Sequence, residues 1–111
     1  MPGEDFEELE IIRHRFEGFE KELEQNQDKV NLVNQLAAEL LQAEHVGRPE
    51  QIEQRQKQLV DRWNDLLKLV DQKRGNIKNA YDLQQFYIES QETNTWITDK
   101  MKLVESTDEL G

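Results

Sequence analysis

Apolar residues recur along the first third of the chain in alternating steps of three and four. Leu9, Ile12, Phe16, Phe19, Leu23, Val30, Val33, Ala37 and Leu40 keep this spacing, broken only by Asn26 where another apolar side chain is due. Such a row is an a/d coiled-coil seam and predicts one long amphipathic helix. Asp5 followed by Glu8 reads as a capping box just after Pro2-Gly3, which predicts a start near Asp5 or Phe6. The stop is marked by Gly47, suited to the left-handed conformation that ends helices, and by Pro49, which suits the first turn of the next one.

A second helix follows. Ile52, Leu59, Trp63, Leu66, Val70, Ile77 and Ala80 share one face, with Gln56 and Lys73 in the two remaining seam positions. The connection from His45 to Arg48 is short, which makes the two helices antiparallel neighbours. Beyond them Leu83, Phe86, Ser90, Thr93, Ile97, Lys100 or Met101, and Val104 continue the three-four pattern. The step from Ile77 to Ala80 to Leu83 is three followed by three, however, and this overwinds the stripe and turns it in a new direction. No Pro accompanies the shift. Gly75 costs about 1 kcal/mol against Ala in a helix interior without forbidding one, so residues 50–104 can form a single rod of roughly 80 Å. Gly75 and Asn76, beside the phase shift, are the candidate hinge.

Leu32, Leu36 and Leu41 widen the first stripe beyond what a two-helix hairpin covers, so a third helix must pack there. It is either the last segment folded back, with a bend at residues 74–82, or part of another molecule. The fold class is therefore all-α, an antiparallel left-handed helical coiled coil completed as a three-helix bundle.

Charge sharpens the pairing. Residues 1–47 carry 4 basic and 12 acidic side chains, residues 48–80 carry 8 and 5, and residues 81–111 carry 2 and 7. The acidic first helix thus faces a basic second one, although exposed pairs are worth only about 0 to 1 kcal/mol each. A net charge of −10 and a pI near 4.6 disfavour nucleic acid as a partner, since phosphate affinity needs clustered Lys and Arg. Hydrophobic residues make up 35% of the chain, below the globular norm of roughly 45–50%, so the core is narrow. No run approaches the roughly 18 apolar residues of a membrane span, and the acidic first segment does not read as a secretory or mitochondrial leader. The absence of Cys excludes disulfides and thiolate chemistry and fits a reducing compartment.

Chemistry-bearing patterns are few. Glu10 and His14 lie four apart, but no E-x-x-H pair of the di-iron kind occurs, and His14 lies opposite the seam. His45 falls where a basic side chain complements a helix C-terminus. There is no P-loop, dinucleotide fingerprint, H-E-x-x-H, nucleophile elbow or EF-hand loop. These patterns predict no enzyme activity, no metal and no cofactor. Trp63 and Trp96 sit on or beside the apolar stripe and are expected to pack in a core. The basic set Arg55, Lys57, Arg62, Lys68, Lys73, Arg74 and Lys78 suggests an alternative role, a helical module binding anionic lipid or calmodulin. Five interspersed acidic residues from Glu50 to Asp71 weaken that role, and a weak membrane-surface contact is the form it would take toward lipid.

Trp63 within "QRQKQLVDRWNDLLKLVDQKR" and Trp96 within "DLQQFYIESQETNTWITDKMKLVESTDELG" make the chain similar to the spectrin-repeat family. The stretches "EIIRHRFEGFEKEL", "VNLVNQLAAELL" and "WITDKMKLVESTDELG" resemble beta-spectrin more closely than alpha-actinin or dystrophin. The resemblance implies one repeat-like unit over 1–111, with 5–46 like helix B, 49–80 like helix C, and 81–106 like helix A of the following repeat. In that frame the structural core is Leu9, Ile12, Phe16, Phe19, Leu23, Val30, Val33, Leu40, Ile52, Leu59, Trp63, Leu66, Val70, Ile77, Leu83, Phe86, Trp96 and Ile97. It further implies a non-enzymatic structural segment of an elongated flexible rod in the actin-linked membrane skeleton, at the inner face of the membrane. Its implied partners are neighbouring repeats or another spectrin-like chain. A homodimer of the isolated chain, each copy burying the other's open stripe, is the expected way to cover the exposed faces.

Overall fold

A computed structural model describes residues 2–44 and 47–106. Two helices account for nearly all of them, α1 over Pro2–Gln42 and α2 over Pro49–Glu105. At 1.5 Å per residue they are about 62 and 86 Å long. α1 begins at Pro2, ahead of the expected start at Asp5 or Phe6; proline is favoured in a first helical turn, where its missing N–H has no partner to lose. The Asp5 side chain of the expected capping box lies outside the described residues, as does His45.

α1 stops at Gln42, and the Ala43 N–H closes a tight last turn on the Leu40 carbonyl at 3.2 Å. The left-handed residue expected at Gly47 is instead Arg48, at φ 59° and ψ 55°. The residue before a proline is disfavoured in the right-handed helical region, so the reversal of direction is taken up there. The Arg48 carbonyl accepts from the Gln51 N–H at 3.1 Å and opens α2. At the other end the Ser106 N–H closes on the Lys102 carbonyl at 3.1 Å.

The extents of 96 × 24 × 17 Å and the radius of gyration of 27.0 Å describe a rod. A compact domain of this length would have a radius near 13 Å. α2 runs through Gly75 and the phase shift without a break, so the last segment continues straight rather than folding back. The molecule is a hairpin of α1 against the first part of α2, from which the rest of α2 projects as a single helix. Between Gln85 and Lys102 every side chain is exposed.

The packing of the hairpin differs from the expected a/d seam on α1. Apart from Glu10, the buried or half-buried positions described there are Leu9, Arg13, Phe16, Glu20, Leu23, Gln27, Val30, Asn34, Ala37 and Leu41, again alternating four and three. One apolar row is shared with the expected seam. The second row has moved by one residue, because a helix with only one neighbour turns the flank of its stripe toward that neighbour and leaves the remainder open. Ile12, Phe19, Val33 and Leu40 accordingly stay 37–47% exposed, and Asn26 is exposed too. On α2 the inward row follows Ile52, Gln56, Leu59, Trp63, Leu66, Val70, Ile77 and Ala80, while Lys73 is exposed. The buried hydrophobic core consists of Leu9, Val30, Ala37, Val70 and Ile77.

Candidate functional site

The shifted row on α1 places a polar side chain every seven residues against α2, and each meets a partner. Gln56 Nε2 donates to Asn34 Oδ1 at 3.2 Å, and Trp63 Nε1 donates to Gln27 Oε1 at 3.0 Å. Arg74 Nη2 donates to Glu20 Oε2 at 2.7 Å. At the far end Arg13 Nε donates to the Tyr81 hydroxyl at 2.7 Å and Arg13 Nη2 to Glu10 Oε2 at 2.8 Å, while the Tyr81 hydroxyl donates to the other Glu10 oxygen. Phe6 meets the Tyr81 ring edge-to-face at 6.1 Å between centroids, closing this end of the hairpin. Each neutral bond contributes about 0.5–1.5 kcal/mol net. Their larger effect is on register, since sliding α2 past α1 by one heptad separates all four partnerships at once.

This ladder also assigns the charges. The hydrogen bond from Arg13, and then that from Tyr81, hold the Glu10 carboxyl below its ordinary 4.5. The same contact with Glu10 raises the Arg13 guanidinium, and partial burial followed by the bond to Glu10 raises the Tyr81 phenol. Glu10 is thereby committed to Arg13 and Tyr81, and His14 is exposed. Among the described residues no cluster of three or more His, Cys, Asp or Glu is placed to hold a metal ion. Of the basic set on α2, Lys57 pairs with Asp61, Arg74 with Glu20, and Lys78 with Asp82. No helix among the described residues is long and apolar enough to cross a membrane.

The distinctive surface is apolar. Two adjoining grooves run along the open side of the hairpin. One is lined by Val33, Leu36, Ala37, Leu40, Ile52 and Leu59, with Arg55 and Arg62 on its rim; the next is lined by Phe19, Leu23, Val30, Trp63 and Leu66, with Glu22 and Lys29 beside it. The projecting part of α2 carries a complementary ridge. Leu83, Phe86, Trp96, Ile97, Met101 and Val104 are 43–65% exposed there. Lys100 lies over the Trp96 ring at 5.9 Å.

The expected core residues therefore separate into three groups. Leu9, Val30, Val70 and Ile77 are buried, and Phe16, Leu23, Ile52, Leu59, Trp63 and Leu66 are half-buried, all within the hairpin. Ile12, Phe19, Val33 and Leu40 lie on its open side. Leu83, Phe86, Trp96 and Ile97 are exposed on the projecting part of α2, with no second helix described against them. Gly75 and Asn76 are exposed within continuous helix. Sequence reasoning missed the ladder residues Arg13, Glu20, Gln27, Asn34, Arg74 and Tyr81. The signal available was a polar residue at a strict seven-residue interval on α1, next to the apolar row.

Comparison with known proteins agrees with this architecture. The spectrin repeat family model matches residues 1–79, the span of α1 and the part of α2 packed on it. The chain is 45% identical over 109 residues, 98% of its length, to the spectrin beta chain of Drosophila melanogaster. It is 32% identical over 105 residues to the erythrocytic spectrin beta chain of Mus musculus, and 35% identical over 106 residues to the mouse erythrocytic spectrin alpha chain 1. It spans only 4–5% of the length of these relatives. No solved structure gives a significant match. With the family model matching residues 1–79 and a 45% identical relative aligned over 98% of the chain, the chain belongs to the spectrin-repeat family.

Proposed function

We propose that this chain is a non-enzymatic structural segment of an elongated, flexible rod in the actin-linked membrane skeleton, straddling the junction between two successive bundles. In this reading α1 and residues 49–80 are the second and third helices of one repeat. Residues 81–106 are the first helix of the next. The observation that carries it is the unbroken α2, which packs in the hairpin up to Ala80 and Tyr81 and then projects with a fresh apolar ridge. A helix shared by two bundles transmits length and bending from one to the other. The partners are neighbouring repeats or another spectrin-like chain, and the setting is the cytoplasmic face of the membrane. The alternative of anionic lipid or calmodulin binding has no observation behind it beyond the basic set itself, of which Lys57, Arg74 and Lys78 pair with carboxylates of this chain.

The flexible point of the rod is residues 71–76. Val70 and Ile77 are buried, but every residue between them is exposed, the inward position at 73 or 74 being Lys or Arg, and Gly75 adds the helix propensity deficit. Backbone hydrogen bonds flanked by few packed side chains open first. Native-state hydrogen exchange on dilute protein is expected to show residues 73–83 opening faster than residues 60–70. Equal protection would remove the hinge and leave a stiff rod.

A further inference from the structure

The ladder between α1 and α2 changes its chemistry along the hairpin. Toward the α1–α2 connection its rungs are neutral, Gln56 to Asn34 at 3.2 Å and Trp63 to Gln27 at 3.0 Å. Beyond Val70, every side-chain hydrogen bond described between the helices has an ionised member. Arg74 Nη2 donates to Glu20 Oε2 at 2.7 Å, Arg13 Nε donates to the Tyr81 hydroxyl at 2.7 Å, and that hydroxyl donates to Glu10. Arg13 Nη2, 2.8 Å from Glu10 Oε2, ties the last two together.

The charged rungs coincide with the thinnest packing. Val70 and Ile77 are the buried residues of α2, and residues 71–76 between them are all exposed. Arg74 is one of these exposed positions, so its bond to Glu20 holds down a stretch that buries no side chain of its own. Tyr81 lies one turn past Ile77, where α2 leaves the hairpin. The side chains of Glu10, Arg13, Glu20 and Arg74 are 33–53% exposed, so dissolved ions reach them. The neutral rungs carry no net charge to screen. None of the five residues lines either groove, so the arrangement does not depend on what occupies the open side.

We propose that Glu10, Arg13, Glu20, Arg74 and Tyr81 form an ionic clasp over the hinge, which loosens residues 71–83 as ionic strength rises while the connection end of the hairpin stays packed. This rests on reading residues 71–76 as the flexible point of the rod, and it adds what controls that point. The screening length falls from about 30 Å in 10 mM salt to about 3 Å in 1 M, a range over which exposed ion pairs weaken. The stiffness of the joint thereby becomes a function of the ions around it.

Native-state hydrogen exchange of the dilute chain in 10 mM and in 1 M NaCl tests the clasp. Residues 60–70 are the reference within the same molecule, because salt also relieves the self-repulsion of a chain of net charge −10. Relative to that reference, residues 73–83 are expected to exchange about threefold or more faster in 1 M salt. Tyr81→Phe keeps the ring and removes the hydroxyl, and Glu20→Arg sets a second cation beside Arg74. Each is expected to produce a similar acceleration already in 10 mM salt and to shrink the response to 1 M. Adding Arg74→Glu to Glu20→Arg restores the parent behaviour, whereas Asn34→Ala, at a neutral rung, leaves the salt response of residues 73–83 unchanged. A stretch 73–83 that exchanges faster than the reference but ignores both salt and substitution overturns the clasp and keeps the hinge. So does a double variant that fails to recover. Equal protection of the two stretches in both salts and in Glu20→Arg removes the hinge and the clasp together.

Discussion

Val30 and Val33 share a helix and a residue type, one turn apart, but Val30 is 8% exposed and Val33 is 40% exposed. Truncating each to Ala therefore isolates what the hairpin packs. The change removes about two methylene equivalents, or roughly 1.6 kcal/mol of transfer free energy at full burial. Val30→Ala loses nearly all of that, plus a cavity contribution in a packed seam, and regains about 0.5 kcal/mol from the better helix propensity of Ala, for a net cost of about 1–2 kcal/mol. Val33→Ala loses about 1 kcal/mol, creates no cavity because the groove is already open, and regains the same propensity, leaving about 0.5 kcal/mol. Urea unfolding followed by far-UV circular dichroism, at concentrations low enough to keep the chain monomeric, measures the difference. A gap near 1 kcal/mol is expected. Equal costs, or a larger cost at Val33, would mean that α1 packs through the a/d row after all. At concentrations where copies associate, the Val33→Ala cost is expected to grow, because the groove is then filled.

Gly18 and Gly75 both lie within helices, and a Cβ at either meets nothing within 4 Å. Gly18→Ala and Gly75→Ala should each stabilise the chain by about 0.5–1 kcal/mol in urea unfolding, but only Gly75→Ala should slow hydrogen exchange at residues 73–83. Arg48 holds a left-handed backbone at φ 59°. Arg48→Gly should raise stability by about 0.5 kcal/mol, the relief of left-handed strain exceeding the added freedom of the unfolded chain, whereas Arg48→Val should lower it by about 1 kcal/mol or more. Because the Glu10 carboxyl is held below 4.5 when folded, its contribution is complete above that pH and is lost as pH falls through the lower folded value. The stability gap between the parent chain and Glu10→Gln should be constant above about pH 5 and close in more acidic buffer; a gap that widens in acid would reverse the assignment.

The helices and the α2 seam were legible because Ile52, Leu59, Trp63, Leu66, Val70 and Ile77 are apolar at positions that face α1 whichever helices complete the bundle. The long second helix was legible from the absence of Pro after Pro49, which left Gly75 as the only weak point. The second row on α1 was not, and the reason is geometric. Hydrophobicity marks the stripe a helix would bury in a complete three-helix bundle, whereas a hairpin buries only the side facing its one partner. Ile12, Phe19, Val33 and Leu40 therefore signalled burial that the monomer does not supply. Arg13, Glu20, Gln27 and Asn34 signalled solvent while being engaged by Tyr81, Arg74, Trp63 and Gln56. Their seven-residue spacing beside the apolar row was the one trace of this, and polarity alone reads such a row as solvated surface. Left-handed Arg48 was equally hidden, because glycine is the default for that conformation and Gly47 stands next to it.

The continuity of α2 past the hairpin underlies the rod and the hinge alike. The most direct measurement is a spin-label distance between cysteines introduced at the exposed positions Glu53 and Gln91, in labelled chain diluted with unlabelled chain. A single helix places these positions about 57 Å apart, and a narrow distribution there is the expected result. A bend at residues 74–82 that laid the last segment back on the hairpin would bring them within about 30 Å, and a population at that distance would contradict the straight rod.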